Sequence, residues 1–196
     1  MKKIIFIAIA IFLSLGISAQ SFGLKGGMSN ATLVGGDVTN AGSVTGALFG
    51  VFSQRGDDAI RYTAELNFIR KGFSVDMSNY YYDVTTVEYK LNYIDFVFMG
   101  NFHVTDEFAI NAGPYAGYAL SGKVEAGSQS QSIDDWDGYN RVEVGGAVGV
   151  SYWINDMLII DGRYAYGFTK LADDGLTAPE AYNGVIQVSV GYLFTY

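Results

Sequence analysis

Ile186-Gln187-Val188-Ser189-Val190-Gly191-Tyr192-Leu193-Phe194-Thr195-Tyr196 alternates between bulky apolar residues and mostly small or polar ones. A period of two marks a β-strand whose two faces meet different surroundings. A soluble sandwich or carrier barrel hides its bulky face and turns Lys, Glu and Thr outward. Here the second face is Gln187, Ser189, Gly191, Leu193 and Thr195, a poor surface for water and a good filling for a crowded interior. The bulky face therefore calls for lipid and the small face for a narrow lumen, the inside-out arrangement of a membrane barrel.

The same alternation recurs upstream. Val142, Val144, Val148, Val150 and Tyr152 oppose Arg141, Glu143, Gly145, Ala147, Gly149 and Ser151. Ile160, Tyr164, Tyr166 and Phe168 oppose Asp161, Arg163, Ala165 and Gly167; Tyr62, Ala64, Leu66 and Phe68 oppose Arg61, Thr63, Glu65 and Asn67. Ile94, Phe96, Phe98 and Phe102 face away from Asp95 and Asn101. The second strand is ambiguous, because both Leu48/Phe52 and Ala47/Phe49/Val51 are bulky enough to face lipid.

Eight strands are predicted, at 21–34, 43–54, 59–75, 87–103, 107–122, 141–153, 158–171 and 184–196. Each meets or exceeds the roughly 9–11 tilted residues that cross the hydrocarbon layer. Connections alternate in length. Arg55–Asp58, Thr105-Asp106 and Asn155-Asp156 carry turn chemistry, while 35–42, 77–86, 123–140 and 172–183 are long. The reading is all-β: an eight-stranded antiparallel up-and-down transmembrane β-barrel with short periplasmic turns and longer acidic outer loops. The ring must close, since an open edge in hydrocarbon strands backbone polar groups at several kcal/mol each. Pro114 cannot donate to a ladder, so a local bulge or a single lost bond is expected there.

The start of the chain places it. Lys2-Lys3, the apolar run Ile4–Leu15 and the small residues before Gln20 have the layout of a secretory signal peptide over 1–19, with the barrel domain at 20–196. The apolar run is shorter than the ~20 residues of a spanning helix. The net charge of −8 over 196 residues argues against nucleic-acid partners, and the absence of Cys removes disulfides, thiolate metal sites and Cys nucleophiles.

Several short segments, in order, carry a resemblance: Gly23-Leu24-Lys25-Gly26-Gly27, Glu65-Leu66 with Arg70-Lys71-Gly72, Asn92-Tyr93-Ile94-Asp95-Phe96-Val97, Gly113-Pro114-Tyr115, Arg163-Tyr164 with Gly167, and Val190-Gly191-Tyr192-Leu193-Phe194. Together they resemble the Bacteroidetes outer-membrane β-barrel family that includes PorT-like proteins. Asp95 stands for the usual Glu, Val97 for Pro and Phe168 for Leu. The resemblance implies an eight-stranded outer-membrane barrel, in a family mostly of unassigned function. Its characterised PorT-type relatives assist a protein secretion system.

Glu65, Asp95, Glu143, Asp161 and Arg163 all fall on the inward face by parity. Charges inside a narrow barrel must pair, and eight strands leave no aqueous pore; a structural charge network is favoured over an ion or proton path. His103, the only His, lies at the short-turn end, opposite the lipopolysaccharide-facing end where lipid-modifying barrel enzymes keep their His and Ser, so an acyl-transferring or deacylating role is disfavoured. Ser132–Gly138 lacks calcium-loop spacing. The long loops hold nine acids (Asp37, Asp83, Glu125, Asp134, Asp135, Asp137, Asp173, Asp174, Glu180) and one base, Lys123, which reads as solvated charge. Tyr80-Tyr81-Tyr82 and Tyr152-Trp153 read as interfacial aromatic girdles. Asn30-Ala31-Thr32 matches a glycosylation pattern without meaning in a bacterial barrel. The expectation is a monomeric, non-enzymatic outer-membrane protein with no cofactor. Its partners are outer-membrane lipid or lipopolysaccharide and an envelope protein. The rival readings are a secretion accessory, a small lipid-modifying enzyme and a soluble exported carrier.

Overall fold

The computed structural model describes residues 21–35, 41–57, 59–76, 86–133, 136, 139–171 and 180–194. The leader at 1–19, the Tyr80–Tyr82 run, and the loop acids Asp37, Asp83, Asp134, Asp135, Asp137, Asp173 and Asp174 lie outside them. The strands are β1 (Ser21–Val34), β2 (Ala41–Gly56), β3 (Ile60–Asp76), β4 (Thr86–His103), β5 (Phe108–Ala126), β6 (Gln129–Ile133), β7 (Val142–Trp153), β8 (Leu158–Gly167) and β9 (Tyr182–Phe194).

Their order is β4-β3-β2-β1-β9-β8-β7-β5, and a further β4–β5 pairing closes the ring. Every pairing is antiparallel. Eight strands thus form an up-and-down barrel without an edge. β6 pairs only with the end of β5, from Gly122 opposite Ile133 to Ala126 opposite Gln129, and stands above the ring as a hairpin arm. This corrects the bounds of the long connection predicted over 123–140, whose first residues continue β5 and which contains β6. β5 outruns the span because Val124 and Ala126 continue the ladder to Tyr89 and Val87.

The wall is apolar outward. Val188 is 56% exposed, Val148 58% and Met28 63%, and Phe49, Phe98, Phe102 and Tyr164 join them. So broad an apolar exterior is suited to hydrocarbon and not to water. In β2 the ambiguity resolves: Val44, Leu48 and Phe52 are buried in the lumen, while Phe49 and Val51 face outward. On β4 the outward apolar run from Ile94 to Phe102 covers eight residue steps, about 20 Å along the membrane normal at a tilt of about 40°.

Pro114 keeps its place opposite Gly146 of β7. On its other side the register is the same at Val97–Tyr115 and Gly100–Ala112, with the rungs between them missing. Pro114 therefore costs ladder bonds without a bulge. The register shift on this pair of strands lies instead at Asn92/Tyr93, where Leu120 is the extra residue of β5.

Trp153 corrects a second expectation. Its side chain points inward and is buried, so it belongs to no outer girdle; Tyr152 beside it does face out. Trp153 joins Phe52, Ala109, Ile159 and Leu193 in an apolar plug at the short-turn end. A second apolar cluster, including Leu48, Ile69, Leu91, Met99 and Val185, packs separately inside the lumen.

Candidate functional site: the charged lumen

Inward positions of β1, β3 and β8 bring the lower charge cluster together. Glu65 is its centre. Arg163 donates to it through both terminal nitrogens, Nη1 to Oε2 at 3.0 Å and Nη2 to Oε1 at 2.9 Å, a two-point fork. Lys25 Nζ lies 3.1 Å from both oxygens, and Asn67 Nδ2 donates to Oε2 at 2.8 Å. Asp161 stands 3.5 Å from Arg163 and 3.7 Å from Lys25, and accepts a hydrogen bond from Ser151 Oγ at 2.6 Å. Ser151 Oγ in turn accepts from Asn111.

The upper cluster is built around Lys71, which is 0% exposed. Its ammonium sits 2.9 Å from Asp95 and 2.9 Å from Glu143. Glu143 also accepts hydrogen bonds from the Tyr115 hydroxyl and the Asn183 amide. The rings of Tyr93 and Tyr115 face the same ammonium at 4.6 and 4.8 Å, adding cation–π attraction to the two ion pairs.

Glycines make room for these groups. A Cβ on Gly145 would lie 2.5 Å from the Tyr115 ring, and one on Gly117 would lie 2.4 Å from Asp95 Oδ1. Small residues on one strand thus sit against long charged or aromatic ones on the next, which fills a lumen of this width. The cavity beside Glu65, Arg163 and Trp153 measures about 10 Å³, about the room of one water.

The structure brings Glu65, Asp161 and Arg163 together below, and Asp95 and Glu143 together above. Sequence reasoning missed Lys25 and Lys71, the cations that complete both clusters. The signal was present: Lys25 is one step from the outward Leu24, and Lys71 shares parity with Glu65 and Asn67. Tyr93 and Tyr115 were missed for the opposite reason, as bulky rings on a face read as small.

His103 does not join either cluster. Its ring packs at 4.6 Å from the Trp153 indole at the short-turn end, and the Arg61 guanidinium covers the same indole at 5.6 Å. Among the described residues no group of three or more His, Asp or Glu is arranged to hold a metal ion. The turns at this end are closed by side-chain caps: Asp57 on the amides of Ala59 and Ile60, Thr105 on Phe108, and Asn155 on Met157 and Leu158.

Solved structures share this architecture. Neisserial surface protein A is similar over 90% of this chain and 100% of its own, with a TM-score of 0.59 at 16% identity. Ail, the attachment invasion locus protein of Yersinia pestis, solved with the heparin analogue sucrose octasulfate, is similar over 89% of this chain and 99% of its own, with a TM-score of 0.53 at 14% identity. No curated protein sequence matches significantly. The family model of the outer membrane protein beta-barrel domain matches residues 18–173; the chain belongs to that family and resides in the outer membrane.

Proposed function

We propose that this outer-membrane barrel is a non-enzymatic, pore-less protein of the cell envelope that acts through its outer surface. The observation that carries this reading is the filled lumen. Lys25, Glu65, Asp161 and Arg163 below and Lys71, Asp95 and Glu143 above are tied to one another, and the space beside Glu65 admits about one water. Side chains held by several partners each do not step aside for a solute. For hydrolysis or acyl transfer the barrel would need a nucleophile beside a base, and His103 is packed on Trp153 at the end away from the outer loops.

The test is conductance of the purified full-length protein in planar bilayers, with sugar uptake by proteoliposomes alongside. Background conductance and no uptake are expected; discrete channels or sugar flux would overturn the closed-lumen reading. Deletion of the gene followed by envelope and secretome proteomics addresses the role. A change confined to the envelope supports the proposal. Loss of secreted proteins would replace it with an accessory role in PorT-type secretion, which the ordered Gly-Pro-Tyr and closing-strand motifs favour.

A further inference from the structure

A second charged cluster lies on the outside of the barrel. On β3 the outward run Tyr62, Ala64, Leu66, Phe68 ends at Arg70; on β4 the run from Phe102 to Ile94 ends at Asn92 and Lys90; on β5 Leu120 gives way to Ser121 and Lys123. Register places these side by side, Arg70 opposite Asn92 and Asn92 opposite Ser121. Arg70 Nε donates to Asn92 Oδ1 at 3.1 Å, and Asn92 Nδ2 donates to Ser121 Oγ at 3.0 Å. One step higher Lys90 stands opposite Lys123, and above it Glu88 opposite Glu125.

This arrangement is costly for the sheet, because like charges directly opposite on one face repel. Lys90 is compensated by Glu88 at 2.7 Å and by Glu125. Lys123 and Arg70 make no ion pair within 4.0 Å among the described residues, and both reach Glu125 only through space. Most other cations are committed. Lys25, Lys71 and Arg163 are in the lumen, Arg141 donates to the carbonyls of Ala119 and Leu120, and Lys170 pairs with Glu180. A chain of net charge −8 thus gathers three cations on one three-strand patch, at the upper limit of its apolar band.

We propose that this patch binds the phosphate-bearing headgroup of an outer-leaflet glycolipid, resting on the reading that the barrel acts through its outer surface. The lipid's acyl chains would lie on Phe68, Ile94 and Phe96 while its phosphate meets Arg70 and Lys123. Asn92 and Ser121 form a hydrogen-bonding floor between the two cations. A guanidinium and an ammonium together suit a phosphate's oxygens, by fork and by point charge. The position favours an amphiphile over a soluble anion, since the patch faces the bilayer side of the wall directly above hydrocarbon-facing residues.

Native mass spectrometry of the detergent-purified full-length barrel tests this, titrating diphosphoryl lipid A against the same lipid enzymatically dephosphorylated. The wild type should retain the phosphorylated lipid at least tenfold better. The double variant Arg70→Ser/Lys123→Ser should lose most of that preference while keeping its heat-modifiable gel mobility. Lys123→Ser alone, which breaks no ion pair, should lose part of it and keeps the test open if the double variant misfolds. Equal retention of both lipids by the wild type, or an unchanged preference in either folded variant, would overturn the site. Displacement of the lipid by millimolar inorganic phosphate would also overturn it, by showing a soluble-anion site. A failure here with bilayers still non-conducting removes the lipid site and leaves the closed-barrel reading standing.

Discussion

The two storeys of the lumen use the same chemistry with different balance. In the lower one, two cations (Lys25, Arg163) meet two carboxylates (Glu65, Asp161), and Glu65 is held from two sides. In the upper one a single cation, Lys71, faces both Asp95 and Glu143, and the rest of the support comes from neutral groups: Tyr115, Asn183 and two ring faces. The lower storey therefore has redundancy and the upper has none. A buried carboxylate left without its cation costs several kcal/mol, so the storeys should fail differently when one cation is removed.

Lys71→Met is the most damaging single change expected. It preserves much of the stem's volume, strands two carboxylates at once and removes the cation that Tyr93 and Tyr115 face. A loss of at least about 5 kcal/mol follows from the cost of breaking buried pairs, read as the urea midpoint for refolding into vesicles and as lost heat-resistant mobility. The triple variant Lys71→Met/Asp95→Asn/Glu143→Gln removes the stranded charges and should recover most of that loss. A triple variant as unstable as the single one would show that packing, and not charge, holds the upper storey.

Arg163→Met comes next. Lys25 still contacts Glu65 and Asp161, so one cation must serve two acids, and the expected loss is about 3 kcal/mol. Lys25→Met should cost a comparable or smaller amount, since Arg163 retains its fork on Glu65. If either lower-storey variant proved as damaging as Lys71→Met, the two lower cations would not substitute for one another.

These clusters were half legible in the sequence. Parity along β3, β4, β7 and β8 places Glu65, Asp95, Glu143, Asp161 and Arg163 inside, because a period of two cannot change face without a bulge. Parity does not say which inward groups meet across the barrel. That depends on stagger around the ring, which brings Lys71 of β3 to Glu143 of β7 across the lumen. Lys25 was obscured by glycines, whose missing side chains erase the alternation on both sides of it. Trp153 was misplaced because a tryptophan near a strand end fits an interfacial girdle as well as an inner plug, and only its odd-numbered partnership with Ser151 and Gly149 distinguishes them. The β6 arm left no such trace: Gln129–Ile133 carries little apolar alternation and is exposed for most of its length.

The smallest effect belongs to a carboxylate in a third setting, which calibrates the other two. Asp57 is fully exposed in the β2–β3 turn and accepts hydrogen bonds from the amides of Ile60 at 2.8 Å and Ala59 at 3.0 Å. Those amides hold its pKa below the ordinary 3.8. The folded state therefore binds that proton less readily than the unfolded chain does, and stability from Asp57 is complete above the ordinary value. It fades as the pH falls from there through the lower folded-state value. Asp57→Ala should lower the refolding midpoint at pH 7 by less than any lumen variant, and the gap between variant and wild type should close in strong acid. Asp57→Asn retains the acceptor oxygen, as Asn155 does in the β7–β8 turn, so its gap to the alanine variant should not depend on pH. A pH-dependent gap between the asparagine and alanine forms would mean that another group in the turn titrates. The turn would then no longer serve as the solvated reference against which the lumen carboxylates are compared.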